Sequence, residues 1–164
     1  MISTGLDTET LLAQAAALVA GERDWVANAA NLAALAGTQI PGLNWSGIYV
    51  LRGATLVLGP FSGKPACVRI ALGSGVCGTA ARERRTVVVP DVHAFPGHIA
   101  CDPASRSEIV VPLVLGDRLL GVLDIDSPQL DRFGAAEQTL FESLADLLVR
   151  SSDWPERARD AGVY

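Results

Sequence analysis

Apolar and polar positions recur along this chain in two rhythms. The first is helical: residues Asp7 to Ala20 are dense in helix formers, and Gly21 can stop them. A second helix is predicted over Glu22 to Ala36, with Trp25, Leu32 and Leu35 on its apolar face and Gly37 as its stop. The rhythm then shortens to two. Trp45–Leu51 and Ala54–Phe61, joined by Arg52-Gly53, predict a β-hairpin. Trp45, Gly47 and Tyr49 fall on one face of its first strand, and Ile48 and Val50 on the other. Ser62-Gly63-Lys64-Pro65 breaks the second strand, and Ala66–Ile70 is a shorter extended piece.

Further on, Thr79–Glu83 reads as helix and Thr86–Val89 as strand. Glu108–Leu115 and Leu119–Ser127 flank Gly116-Asp117-Arg118, a second hairpin signature. Phe133 opens a last helix with Leu140, Leu144, Leu147 and Leu148 at helical spacing, and a polar tail holding Trp154 and Pro155 begins at about Ser151. Two helices before any strand disfavour a doubly wound sheet. The order predicts an α+β fold: residues 1–164 as a single domain, a central antiparallel sheet with helices packed on it.

One stretch breaks both rhythms. Pro90 to Glu108 holds both histidines of the protein, one of its three cysteines, three acids and three prolines. A loop this long between two apolar strands is usually functional or disordered, and Phe95, Ile99 and its prolines can pack. The chain therefore reads as a scaffold that presents this loop.

Composition narrows the function classes. At 164 residues and 49% hydrophobic content the chain can bury a real core. A net charge of −5 with scattered basic residues leaves no footprint for nucleic acid. No apolar run is long enough to span a membrane, and no basic segment precedes the first apolar one as in a signal peptide. A cytoplasmic protein is expected, with cysteines as thiols by default. An odd count of three suits a redox pair plus a spare.

Gly73-Ser74-Gly75-Val76-Cys77-Gly78 spells the dinucleotide fingerprint, but the position 20 residues beyond Gly78 is His98, where an acid is needed. A glycine-rich turn opening a helix can still bind a carboxylate through its free N–H groups. Among the cysteines, Cys77 beside Val76 reads equally as a small buried hydrophobe or as a thiol acidified by a helix N-terminus. Cys101, beside Asp102 and near His98, is the least core-like. Asp91, His93, His98 and Cys101 are all metal-ligand types, but they lack the spacing of a known motif, and neither metal nor cofactor is expected. Glu108, Asp124 and Asp126 start or end apolar strands. Asp124, between Leu123 and Ile125, is hard to solvate, and an unpaired acid there would be costly. Clustered carboxylates can hold an ammonium group, and repulsion can keep one of them protonated as a proton donor. Trp45 and Tyr49 beside such acids would form an aromatic wall.

Leu43–Tyr49, Leu58–Cys67, Gly75–Ala80, Pro90–His93, His98–Asp102, Ser107–Pro112 and Gly121–Ser127 together resemble the free methionine-(R)-sulfoxide reductases, which are GAF domains. The resemblance spans roughly residues 7 to 150; Ser62, where glutamine is expected, is its one noticed departure. It implies a free amino acid as substrate, reduced by cysteine chemistry, with thioredoxin as recycling partner and a homodimer as the assembly. By resemblance Cys101 is the attacking cysteine, Cys67 the resolving one and Cys77 an auxiliary thiol. Trp45, Tyr49, Glu108, Asp124 and Asp126 match the substrate pocket, with Glu108 and Asp126 also expected to handle the proton. The alternative is a non-catalytic GAF sensor of a small ligand.

Overall fold

Capped helices open the chain. The computed structural model describes residues 7–156. Asp7 caps α1 (Thr8–Val19), its carboxylate accepting from the Thr10 N–H at 2.9 Å. Asp24 caps α2 (Trp25–Gln39) by accepting from the N–H groups of Val26 and Ala27. Each cap satisfies amides that the first helical turn leaves without partners. Gly37 does not stop α2, which runs two residues further to Gln39. It is a packing position instead: a Cβ there would lie 2.7 Å from Ser62 Oγ on β2, so the helix can approach the sheet only because none is present.

The strands follow as β1 (Trp45–Arg52), β2 (Thr55–Gly63) and β3 (Arg69–Ala71), then α3 (Gly75–Glu83) and β4 (Val87–Val89). β5 (Ser107–Leu115), β6 (Arg118–Ser127) and α4 (Ala135–Ser151) complete the chain. The third strand is shorter and later than the expected Ala66–Ile70, and α3 starts at Gly75 instead of Thr79. All neighbours pair antiparallel in one six-stranded sheet of order β3-β2-β1-β6-β5-β4. The α+β architecture expected from the pattern, an antiparallel sheet with helices packed on it, is the one observed.

The period of two sorts the strands into two cores. Ile48, Ile109, Val111, Leu123 and Ile125 face α1, α2 and α4. Trp45, Tyr49, Val110 and Val122 face the other way, toward α3 and the long loop. On β6 the alternation slips where Leu113 pairs with Gly121 but Val114 pairs with Leu119, leaving Leu120 as an extra residue. Such a bulge re-aims the side chains beyond it. Downstream, Val122, Asp124 and Asp126 all point away from the helices.

The polar tail expected from about Ser151 is docked on the fold as far as it is described. Trp154 stacks on Trp25 at 5.3 Å, the Asp153 N–H donates to the Arg23 carbonyl, and Ser152 Oγ accepts from the buried Asn28 side chain. Apolar stacking and backbone pairing outweigh the polar character of the neighbouring residues. The last eight residues of that tail, 157–164, lie outside the described residues.

Candidate active site

The floor of the site is the sheet face carrying Trp45, Tyr49, Asp124, Asp126 and Glu108. Register brings the acids together: Asp124 pairs with Gly47 and Val110, while Asp126 pairs with Trp45 and Glu108. Trp45 and Tyr49 stack at 5.9 Å beside them. The Trp45 Nε1–H donates to the Lys64 carbonyl at 3.0 Å, and the Tyr49 hydroxyl donates to the Cys67 carbonyl at 2.9 Å. Those two bonds pin the β2–β3 connection, and with it Cys67, to the edge of the floor.

α3 forms a wall. Ser74, its N-cap, makes no side-chain capping bond, and the helical ladder begins only when the Gly78 N–H donates to the Ser74 carbonyl. The N–H groups of Gly75, Val76 and Cys77 therefore lack intrahelical partners at the positive end of the helix dipole, and all three residues line the cavity. The glycines of this stretch serve packing, not a nucleotide: a Cβ at Gly78 would lie 2.4 Å from the Ala71 carbonyl oxygen of β3.

The roof is the loop between β4 and β5. A short 3₁₀ turn (Val92–Ala94) starts it, capped by the Asp91 carboxylate. Its two ends are tied together, the Val92 N–H donating to the Arg106 carbonyl and the Arg106 N–H to the Ser127 carbonyl. In its middle, Asn44 Nδ2 donates to Asp102 Oδ2 and to Ser105 Oγ, each at 3.0 Å. Cys101 is joined by a disulfide to Cys67, with Cα atoms 5.5 Å apart, and Cys77 is a buried free thiol. Closed in this way, the cavity holds about 40 Å³, room for a few waters.

Burial governs the electrostatics. Glu108 and Asp124 are 6% and 7% exposed. Burial, and then the charge of Asp124, push the Glu108 and Asp126 carboxyls well above the usual range. Burial raises Asp124 less, to about 6. The three carboxyls lie close enough to titrate as one coupled group, each raised above its usual range by burial. Burial and the same negative charges raise the Cys77 thiol, whose Sγ lies 3.9 Å from Glu108 Oε1. His98 Nε2 lies 3.9 Å from Glu108 Oε2, and burial, then the neighbouring His93, depress the basicity of its ring.

Of the residues singled out in the sequence, Trp45, Tyr49, Cys77, Cys101, Glu108, Asp124 and Asp126 line one cavity, and Cys67 reaches it through the disulfide. The loop ligand set disperses: Asp91 caps a turn, Cys101 is bonded to Cys67, and only His98 and Cys101 line the cavity. Sequence reasoning gave Asn44 and Ser105 no role in the site, and read Ile99 only as a residue that packs the loop. Asn44 was visible only as part of the Leu43–Tyr49 segment, and Ser105 carries no local signal.

The curled sheet, its helices and this cavity are those of a known class: the GAF domain family matches residues 8–151, and the chain is a GAF domain. Within that class it is 52% identical over 132 residues to the free methionine-R-sulfoxide reductase of Escherichia coli (strain K12), 80% of each protein being covered. It is 44% identical over 151 residues to the protein of the same name from Saccharomyces cerevisiae (strain ATCC 204508 / S288c), covering 87% of this chain and 84% of that one. The X-ray structure of the Neisseria meningitidis free methionine-R-sulfoxide reductase, in complex with its substrate, matches with a TM-score of 0.85 at 46% identity, over 88% of this chain and 87% of that one. The chain belongs to the free methionine-R-sulfoxide reductases, a family of oxidoreductases.

Proposed function

We propose that this protein reduces free methionine-(R)-sulfoxide to methionine. The observation that carries this reading is the meeting of two buried carboxylates, Glu108 and Asp124, and the half-buried Asp126 with a Cys67–Cys101 disulfide at one pocket. In the reduced protein the Cys101 thiolate attacks the sulfoxide sulfur while Glu108 or Asp126 protonates its oxygen. Methionine leaves and Cys101 becomes a sulfenic acid. The Cys67 thiol then attacks the Cys101 sulfur, water departs and the disulfide forms. A dithiol protein, thioredoxin by the family resemblance, takes up that disulfide by exchange and returns both cysteines to thiols.

Asp124 pairs with the substrate ammonium, and the unpartnered N–H groups opening α3 donate to the substrate carboxylate. Trp45 and Tyr49 wall the side chain. A residue inside a peptide has neither end group free and would have to thread a closed pocket, so only the free amino acid fits. The protein works in the cytoplasm, as a homodimer and without a metal or organic cofactor. Among the described residues no helix is long and apolar enough to cross a membrane.

The test is NADPH consumption through thioredoxin reductase and thioredoxin. Free methionine-(R)-sulfoxide should be turned over, and the (S) epimer and a sulfoxide within a peptide refused. N-acetylmethionine sulfoxide, small but lacking the ammonium, should be poor; equal rates for it would remove the Asp124 pairing. If no sulfoxide draws reductant, even with dithiothreitol as the thiol, the pocket is a small-ligand sensor.

A further inference from the structure

Cys77 is left over from that cycle. It is the free thiol of the disulfide state, it is 4% exposed, and it faces two acids. The Cys77 sulfur, one Glu108 oxygen and one Asp124 oxygen all lie within 4.8 Å of one another. Asp124 Oδ1 is buried with no hydrogen-bond partner among the described residues, and its side chain lines the cavity. His98 Nε2 stands 3.9 Å from the second Glu108 oxygen, at the solvent side.

We infer that Cys77, Glu108 and Asp124 form a site for a thiophilic divalent cation, Zn²⁺ being the fitting ion, which occupies the protein in its disulfide state. The donor set decides the ion. One thiolate and two carboxylates suit Zn²⁺ or Cd²⁺, whereas Mg²⁺ and Ca²⁺ take oxygen alone. Zinc bonds of about 2.3 Å to sulfur and 2.0–2.2 Å to carboxylate oxygen place neighbouring donors closer together than they now stand, so the three side chains draw inward by rotamer adjustment. Three protein donors leave the fourth tetrahedral position to water or to His98. The cation enters as the protons of the Cys77 thiol and the Glu108 carboxyl leave, and three negative donors then hold two positive charges in a buried space, which compensates the desolvation of each.

The consequence is competition. Cation and substrate ammonium share Asp124, so the metal excludes the amino acid and methionine or its sulfoxide displaces the metal. This competition rests on the reading of Asp124 as ammonium partner; the metal binding does not.

The test uses the disulfide form of the full chain, in which Cys77 is the single thiol. Cd²⁺ titration should give one equivalent bound by equilibrium dialysis and an ultraviolet cadmium–thiolate charge-transfer band. Cys77→Ser should lose the band. Asp124→Asn should keep the band while binding weakens by roughly tenfold or more, since even outer-shell partners of a metal are worth that much. Zn²⁺ should bleach the band by displacement, and free methionine should release the metal. Absence of the band from the wild type, or Asp124→Asn affinity equal to wild type, overturns the site. If Cys77→Ser does not fold, the Asp124→Asn comparison still decides. Methionine that releases no metal overturns the competition alone, whereas the proposed activity stands or falls with the NADPH assay on the reduced protein.

Discussion

The two faces of the sheet are built from the same strands under opposite rules. On the helix side Ile48, Ile109, Leu113, Ile125 and Phe141 are fully buried and carry no polar side-chain atom. Its few polar groups are satisfied, as Ser46 Oγ is by donating to the Ala33 carbonyl at 3.0 Å. On the pocket side the same registers bury Glu108 and Asp124, α3 lays Cys77 against them, and one Asp124 oxygen has no partner. The difference teaches where stability and chemistry are separately kept. The first face supplies the folding energy that lets the second hold desolvated acids.

The contrast can be pressed by substitution, beginning with the largest effect. Cys101→Ser should abolish turnover with every reductant while circular dichroism stays native. Measurable cycling in that variant would move the attacking role to another thiol. Glu108→Gln should lower the chemical rate by about 10²–10⁴-fold, measured as single-turnover methionine release. The same variant should be stabilised relative to wild type as pH rises. Glu108 and Asp126 keep their protons in the folded state above the pH at which they lose them when unfolded. The folded state therefore binds more protons than the unfolded one from about pH 4–5 upward, and stability falls with rising pH in that window. Thermal melts from pH 5 to 8 should show a shallower decline for Glu108→Gln; parallel declines would place the uptake elsewhere.

Phe141→Ala, on the helix side, should cost about 3–5 kcal/mol in urea unfolding. Its kcat, measured where the variant is folded, should match wild type, because no acid or thiol is touched. A lost kcat would show that the two faces are coupled. The smallest effect is expected at Tyr49→Phe, which removes the hydroxyl donated to the Cys67 carbonyl. About 1 kcal/mol of stability should go, with slower disulfide closure seen by quenched-flow thiol counting and an unchanged methionine-release step.

Much of this was readable from residue order. The alternation in Trp45–Val50 placed Trp45 and Tyr49 together, and the spacing of Asp124 and Asp126 put both on one face. What the alternation could not reveal was which face that was. The slip at Leu120 and Gly121 shifts β6 by one residue, and only pairing with β5 exposes it. Gly37 misled because a glycine that ends a helix and one that lets a helix approach a strand look alike in sequence. Trp154 misled for the opposite reason: one aromatic among polar residues gains its partner, Trp25, from the far end of the chain. Asn44 became meaningful only once Asp102 and Ser105 were beside it, 58 and 61 residues away.

The sheet order has a consequence for how the site breathes. β6 lies between β1 and β5, so the backbone around Asp124 and Asp126 is paired on both sides. Its amides can meet solvent deuterium only when the whole domain opens. The roof around Cys101 is tied at its ends and by a few side chains, and its amides exchange through openings that leave the sheet intact. One half of the site is held as firmly as the fold itself, and the other hangs on a few hydrogen bonds and one disulfide.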